Sequence, residues 1–128
     1  MDIIKEYTKK VYLTGAEEVY KELKDIYQKD KEFFIVFYLD TKNKIIAREI
    51  VGIGILNKTI VHPREIFKGA IIRSANSIII AHNHPSGETE PSQEDLEITE
   101  KLKEAGELLD IKVLDHVIVG KDGFKSII

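Results

Sequence analysis

Residues 77–81 form a short, largely aliphatic run that leads directly into His82-Asn83-His84-Pro85. Such a run, followed by a proline that cannot donate a ladder hydrogen bond, is typical of a buried β-strand at its end. Residues two apart on a strand face the same side, and at about 3.3 Å of rise per residue the two imidazoles start about 6.6 Å apart. Two metal–nitrogen bonds of about 2.1 Å each can close that gap. The sequence therefore predicts a strand end that presents two metal ligands.

A helix with a carboxylate in its first turn follows these histidines. Ser92 is a natural N-cap residue, and Asp95 falls where the exposed backbone N–H groups of a helix favour a negative charge. Seven residues separate His84 from Ser92, which is enough chain to bring Asp95 back toward the imidazoles. Two histidines and one aspartate are a common ligand set for a catalytic Zn²⁺ whose fourth position stays open to water.

A simpler interpretation is a helix cap beside two core histidines. Ser92 and Asp95 also have the spacing of a capping pattern before an apolar helix. That interpretation leaves two imidazoles on a buried strand end, where an unpaired polar group costs roughly 2–7 kcal/mol. We therefore predict that His82, His84 and Asp95 bind one Zn²⁺ per chain, although this ligand set would also accept Mn²⁺, Co²⁺ or Fe²⁺.

The same residues resemble the JAMM (MPN-plus) metalloprotease signature, with His82-x-His84, seven residues, and then Ser92-x-x-Asp95. Residues 82–87 look like the RadC branch of that family, and the resemblance extends over about residues 32–124. It implies a JAMM/MPN-like (cytidine-deaminase-like) fold and a zinc-dependent peptidase or isopeptidase that acts on a peptide or protein substrate. Family proteins often carry an N-terminal helix-hairpin-helix region, which these 128 residues do not contain.

A three-ligand zinc site also needs a general base for its water. The resemblance favours Glu32, at the head of a strand predicted over residues 33–39, as this catalytic residue. Glu49, in the next predicted strand, is the alternative, because strand register decides which carboxylate reaches the metal. The resemblance further implies that Ser92 helps to hold the tetrahedral oxyanion.

Three other polar residues have structural interpretations that compete with functional ones. Asn83 points away from the ligand pair, so we expect it to anchor the strand. His62 precedes a helix-starting proline, and a structural role is favoured over ligation. His116 is either a core or solvated histidine, which is the favoured interpretation, or a residue that orients a ligand with Asp115 as its partner.

The hydrophobic pattern predicts a single α/β (α+β) domain over residues 1–128, with a mixed, mainly antiparallel sheet flanked by helices. Residues 1–13 are either an arm or a short strand. A capping box at residues 14–17 predicts a helix to about Lys29. The element order thereafter is strand, strand, helix, metal strand, helix, strand, strand. Predicted bounds are 33–39 and 45–53 for strands, 64–73 for a helix, and 111–119 and 124–127 for the closing hairpin.

The composition of the chain excludes several kinds of site and disfavours several kinds of partner. The chain has no cysteine, which excludes disulfides, thiolate zinc fingers and cysteine nucleophiles. A net charge of −3 with dispersed lysines and arginines makes nucleic acid an unfavoured partner. No apolar run approaches the roughly 18 residues of a membrane span, so we expect a cytoplasmic protein.

Two other functions remain as alternatives to the hydrolase. One is a metal-stabilised binding module, and the other is a DNA-repair-associated factor without protease activity. The edges of a small mixed sheet would also permit a homodimer. Substrate selectivity is expected to depend on loops at residues 52–61 and 87–91.

Overall fold

The computed structural model describes residues 2–54 and 61–128 of the chain. Six strands and three helices lie within those residues. In chain order they are β1 (Ile4–Glu6), α1 (Ala16–Glu22), β2 (Glu32–Leu39), β3 (Ile45–Gly54), α2 (Pro63–Ile72), β4 (Ser77–Asn83), α3 (Gln93–Leu109), β5 (Lys112–Gly120) and β6 (Gly123–Ser126).

One six-stranded sheet runs in the order β1-β3-β2-β4-β5-β6. All neighbouring pairs are antiparallel except β4 and β5, which run parallel and are joined through α3. A parallel pair needs a crossover connection, and α3 provides it. This architecture confirms the predicted mixed, mainly antiparallel sheet flanked by helices. Because β4 lies between β2 and β5, its carboxyl end is enclosed by protein on both sides.

The helices divide the core into two layers. Helices α2 and α3 pack on one face of the sheet, where Ile66 and Ile98 meet Val36 and Ile80. Helix α1 packs on the other face through Val19. Side chains alternate between the faces along each strand, and His82, which pairs with Phe34 of β2, shares the face of α2 and α3.

Helix α1 differs from its prediction at both ends. Gly15 is its N-cap and makes no side-chain capping bond, so the predicted capping box is wrong. The helix ends at Glu22 rather than near Lys29. The carbonyl oxygen of Glu22, which a longer helix would use internally, instead accepts a hydrogen bond from Nη1 of Arg48 at 3.1 Å. The chain continues in turns that still bury Leu23 and Ile26.

The two edge strands of the sheet are short. Residues 4–6 form a strand, as one of the two interpretations of the N-terminal segment predicted, and pair with β3. The other edge is β6, and a homodimer through either edge stays a prediction. Among the described helices, none is both long and apolar enough to span a membrane. Of the loop predicted to affect selectivity at 52–61, residues 55–60 lie outside the described part of the chain.

Candidate metal centre

The end of β4 carries two imidazoles on one face, as the spacing predicts. The Nε2 atoms of His82 and His84 lie 3.0 Å apart. His82 is fully buried, whereas the side chain of His84 is 14 % exposed. The pair therefore lies at the boundary between the core and solvent, with His84 on the accessible side.

Asp95 meets both imidazoles from the first turn of α3. Its Oδ1 lies 3.0 Å from Nε2 of His82, and its Oδ2 lies 3.2 Å from Nε2 of His84. The Asp95 side chain is only 1 % exposed. A buried carboxylate thus contacts both histidines, and its role as the third metal ligand stays a prediction.

Glu32 approaches the same group from the first residue of β2. Its Oε1 is 3.9 Å from Nε2 of His84, and its side chain is 22 % exposed. Ligating atoms of Glu32, His82 and His84 all lie within 4.8 Å of one another, so these three residues can hold a metal ion. Asp95 is nearer to both histidines than Glu32 is to His84, so Asp95 is the better placed of the two carboxylates to share a metal with the histidines.

The separations of the donor atoms fit a small tetrahedral ion. With metal–nitrogen bonds of about 2.1 Å, neighbouring ligands of a tetrahedral zinc are about 3.4 Å apart. The two Nε2 atoms lie 3.0 Å apart, and they lie 3.0 and 3.2 Å from the two different oxygens of Asp95, within a few tenths of an ångström of that value. A buried carboxylate and two imidazole nitrogens are also the donor types that zinc prefers.

The electrostatics of the centre favour a positive charge between the imidazoles. Burial by itself would raise the pKa of Asp95, but the hydrogen bonds from His82 and His84 outweigh burial and hold the pKa of the carboxyl well below its usual range. The hydrogen bond to Asp95 in turn raises the pKa of His84. An ionised carboxylate is thus retained in a nearly closed site.

A backbone carbonyl orients His84. Its Nδ1 lies 2.9 Å from the carbonyl oxygen of Glu88. Because a carbonyl only accepts, Nδ1 carries the ring proton and the lone pair of neutral His84 is on Nε2, directed at the centre. The loop after Pro85 therefore contributes an orienting contact as well as the connection to α3.

A second set of buried residues lies behind His82. Nδ1 of His82 is 2.7 Å from Nε2 of His116, and Nδ1 of His116 is 2.5 Å from Oγ1 of Thr99. Burial lowers the pKa of His116 well below its usual value, which keeps this imidazole neutral. The ring of Phe34 stacks on His82 and meets His116 edge-on. His116 is therefore a buried core histidine, as the favoured interpretation predicted, and it also contacts the predicted ligand His82.

Asp115 does not orient the His116 ring. Its Oδ1 accepts hydrogen bonds from the backbone N–H of His116 and from the hydroxyl of Ser126. The ring partner is Thr99 on α3. Sequence reasoning missed it because a threonine on the buried face of a helix has the pattern of an ordinary core residue. The only available signal was its spacing of four residues from Asp95.

Asn83 anchors the strand on the opposite face of the sheet, as predicted. Its Oδ1 accepts from the backbone N–H of Phe33 at 2.7 Å, and its Nδ2 donates to the carbonyl oxygen of Lys31 at 2.9 Å. These two backbone groups flank Glu32 directly. The asparagine between the two histidines thus fixes the position of the glutamate.

Ser92 caps α3, and it lies beside Asp95. Its Oγ accepts from the backbone N–H of Asp95, and its own N–H donates to Oδ2 of Asp95 at 2.8 Å. The predicted capping pair is confirmed, and the same bonds hold the Asp95 carboxylate in place.

Glu49 lies elsewhere: its Oε1 accepts from the hydroxyl of Tyr38 at 2.8 Å, near α2. His62 is the N-cap residue of α2, without a side-chain capping bond.

Comparison with known proteins identifies the domain type. The family model described as the RadC-like JAB domain matches residues 13–128. A UPF0758 protein of Caldanaerobacter subterraneus subsp. tengcongensis is 57% identical over 109 residues, which cover 84% of this chain and 47% of that protein. A UPF0758 protein of Methanosarcina acetivorans is 54% identical over 100 residues, covering 78% and 44%. One from Staphylococcus haemolyticus is 44% identical over 128 residues, covering 97% and 55%. The chain spans about half the length of these relatives.

Proposed function

The chain belongs to the RadC-like JAB domain family, and on that premise we propose that it is a zinc-dependent hydrolase of peptide or isopeptide bonds. The observation that supports this proposal most directly is the convergence of His82, His84, Asp95 and Glu32 at one end of β4. In this assignment the two histidines and Asp95 are the zinc ligands, because their donor atoms have the shorter separations. Glu32 is the general base.

Zinc, when bound to these ligands, polarises a carbonyl oxygen and lowers the pKa of a coordinated water. The chain supplies the rest of the chemistry. Oε1 of Glu32, 3.9 Å from Nε2 of His84, would act as the general base that accepts a proton from the attacking water and returns it to the departing amine. The side chain of Glu32 is partly exposed, so the carboxylate can reach the leaving group of a substrate that binds from the solvent.

The position of Glu32 is set before substrate binds. The contacts of Asn83 with the backbone on either side of Glu32 fix the start of β2 against the end of β4. A base that is held in place does not need to be ordered during the reaction, which lowers the entropic part of the barrier. A shallow cleft lined by Glu32, Ile53, Gly54 and Pro85 opens beside it. We assign this cleft to the substrate backbone.

Ser92 has a second role in this proposal. Its Oγ accepts from the N–H of Asp95, which leaves the hydroxyl hydrogen available to donate. A donor next to the ligands would stabilise the negative charge that develops on the carbonyl oxygen in the transition state. Loss of one such donor typically lowers kcat by about 10²–10³.

Replacement of the two competing glutamates tests the assignment. Wild type, Glu32→Gln and Glu49→Gln are loaded with zinc, and each is assayed on a panel of peptides and isopeptide-linked substrates. We expect Glu32→Gln to retain zinc and to lose activity by about 10²–10⁴. Glu49→Gln, which removes a carboxylate bound to Tyr38, is the matched control and should stay close to wild type.

Two outcomes would contradict the proposal. If Glu32→Gln hydrolyses the substrates as fast as wild type, Glu32 is not the base. If wild type binds zinc but turns over neither substrate class, the result favours a metal-stabilised binding module.

A further inference from the structure

Thr99 and His116 lie behind the zinc ligand His82 in a continuous chain of hydrogen bonds. We propose that this chain is a relay that fixes which ring nitrogen of His82 is available to the metal. The inference rests on the zinc site of the proposed function. It assigns Thr99 and His116 as positioning residues, because neither reaches the face of the site that is open to substrate.

The relay consists of three contacts. Nδ1 of His82 is 2.7 Å from Nε2 of His116, and Nδ1 of His116 is 2.5 Å from Oγ1 of Thr99. Oγ1 of Thr99 is in turn 2.7 Å from the backbone carbonyl oxygen of Asp95. His82 and His116 are 0 % exposed and Thr99 is 2 % exposed, with Phe34 packed against both rings. In such a closed environment these polar groups must satisfy one another.

The direction of every hydrogen bond is fixed once Nε2 of His82 binds a metal. The ring proton of His82 is then on Nδ1 and is donated to Nε2 of His116. Because that nitrogen accepts, the ring proton of His116 is on Nδ1 and is donated to Oγ1 of Thr99. The single hydroxyl hydrogen of Thr99 goes to the carbonyl of Asp95, which can only accept. Each of the three contacts then contains one donated hydrogen, and no ring or hydroxyl hydrogen of these residues lacks an acceptor.

Without a metal, the reverse direction satisfies the two ring contacts but leaves the contact between Oγ1 of Thr99 and the carbonyl oxygen of Asp95 without a hydrogen. Thr99 then donates to Nδ1 of His116, whose Nε2–H donates to Nδ1 of His82. The ring proton of His82 is therefore on Nε2, where Oδ1 of Asp95 accepts it at 3.0 Å. Zinc binding thus reverses the relay, and the hydroxyl hydrogen of Thr99 turns from Nδ1 of His116 to the carbonyl oxygen of Asp95.

Loss of the hydroxyl would favour the metal-free direction. Without Oγ1, an N–H on Nδ1 of His116 has no acceptor in a buried site, and a buried donor without a partner is costly. The proton then prefers Nε2 of His116, which places the ring proton of His82 on Nε2 and opposes ligation. Zinc affinity should therefore depend on an atom that does not touch the metal.

Nuclear magnetic resonance of the zinc-loaded protein tests the direction of the relay. The chain has four histidines, so two-bond proton–nitrogen spectra of the ¹⁵N-labelled protein can identify the protonated nitrogen of each ring. We expect His116 to carry its proton on Nδ1 when zinc is bound. A zinc-loaded protein in which His116 is protonated on Nε2 would overturn the relay while leaving the zinc site intact.

Zinc affinity, measured by competition with a chromogenic chelator, tests the role of the hydroxyl. Thr99→Val has the same shape without the hydroxyl, and we expect its affinity to fall by about 10- to 100-fold, as for other residues that orient a ligand. Thr99→Ser keeps the hydroxyl and should restore most of the affinity. Ile98→Val, a buried change on the same turn of α3 that does not touch the relay, controls for destabilisation.

The outcomes separate this inference from the proposed function. Equal zinc affinity in Thr99→Val, Thr99→Ser and wild type would overturn the relay alone. An equal loss of affinity in Thr99→Val and Ile98→Val would also overturn it, since general destabilisation would then explain the effect. A wild-type protein that binds no zinc would overturn the relay and the proposed function together.

Discussion

At the scale of single residues, backbone groups hold the side chains of the candidate centre in position. His84 is oriented by the carbonyl of Glu88, and Asp95 by the N–H of Ser92. The convergence of His82, His84 and Asp95 could be predicted from the sequence, because His-x-His on a strand and an aspartate three residues after an N-cap have fixed spacings. Thr99 could not, because its partner His116 is remote in sequence and nothing local signals their contact.

Asn83 offers a residue-scale test of how Glu32 is positioned. Asn83→Ala removes the partners of the Phe33 N–H and the Lys31 carbonyl. We expect unfolding free energy to fall by about 1–3 kcal/mol, because buried backbone groups lose their partners. Hydrolysis should decrease, whereas zinc binding should be retained, since Asn83 faces away from the ligands.

The measurements are urea unfolding, zinc content and kcat for the zinc-loaded protein. Asn76→Ala, at an exposed residue just before the same strand, is the matched control and should leave all three unchanged. Unaltered hydrolysis by a folded Asn83→Ala protein would show that the asparagine does not position the base.

At the scale of elements, the sequence predicted most strands and helices within a few residues but misplaced the end of α1. A periodic apolar pattern continues through residues 23–27, and such a pattern alone favours a longer helix. In the structure, Leu23 and Ile26 are still buried but lie in turns, because Arg48 of β3 donates a hydrogen bond to the carbonyl oxygen of Glu22. That contact joins residues far apart in sequence, so no local pattern could reveal it.

The packing of α3 against the segment that follows it gives an element-scale prediction. Gly→Ala in a helix interior ordinarily stabilises by about 1 kcal/mol. At Gly106, however, a Cβ atom would lie 2.4 Å from the carbonyl oxygen of Ile111. We expect Gly106→Ala to destabilise by about 1–3 kcal/mol instead, because the backbone at Ile111 must shift.

Urea unfolding measures this change in sign. Glu104→Ala, an exposed substitution on the same helix, should stay within about 0.5 kcal/mol of wild type. A Gly106→Ala protein that is more stable than wild type would show that α3 does not pack as closely against Ile111 as the structure describes.

At the scale of the whole molecule, the two faces of the sheet have different tasks. The face under α2 and α3 carries the candidate metal centre. The face under α1 packs against that helix and forms the second layer of the core. An ion pair between Arg48 of β3 and Asp25, just after α1, links that second layer to the sheet. The guanidinium is buried, whereas Asp25 is about half exposed.

This ion pair predicts a pH dependence of stability. Burial alone would raise the pKa of Asp25, but its hydrogen bonds and charge interaction with Arg48 outweigh burial and lower it. A lowered folded-state pKa adds stability that is complete above the unfolded-state value, near 3.8, and is lost as pH falls through the lower folded-state pKa. Wild type should therefore lose its stability advantage over Asp25→Asn below about pH 3.8.

Urea unfolding of wild type and Asp25→Asn across this pH range gives the difference directly. Glu17→Gln, on the exposed surface of α1, serves as the control for removal of one negative charge. A constant difference between wild type and Asp25→Asn from neutral to acid pH would contradict the role assigned to the pair.

We propose that the end of β4 binds zinc through His82, His84 and Asp95. Native mass spectrometry of wild type and His84→Ala, each equilibrated with zinc and freed of excess metal, tests it most directly. His84 is partly exposed, so its removal should leave the fold intact, which circular dichroism can verify. We expect one zinc ion on each wild-type chain and none retained by His84→Ala. A wild-type chain that takes up no zinc, or a His84→Ala chain that keeps its full complement, would contradict it.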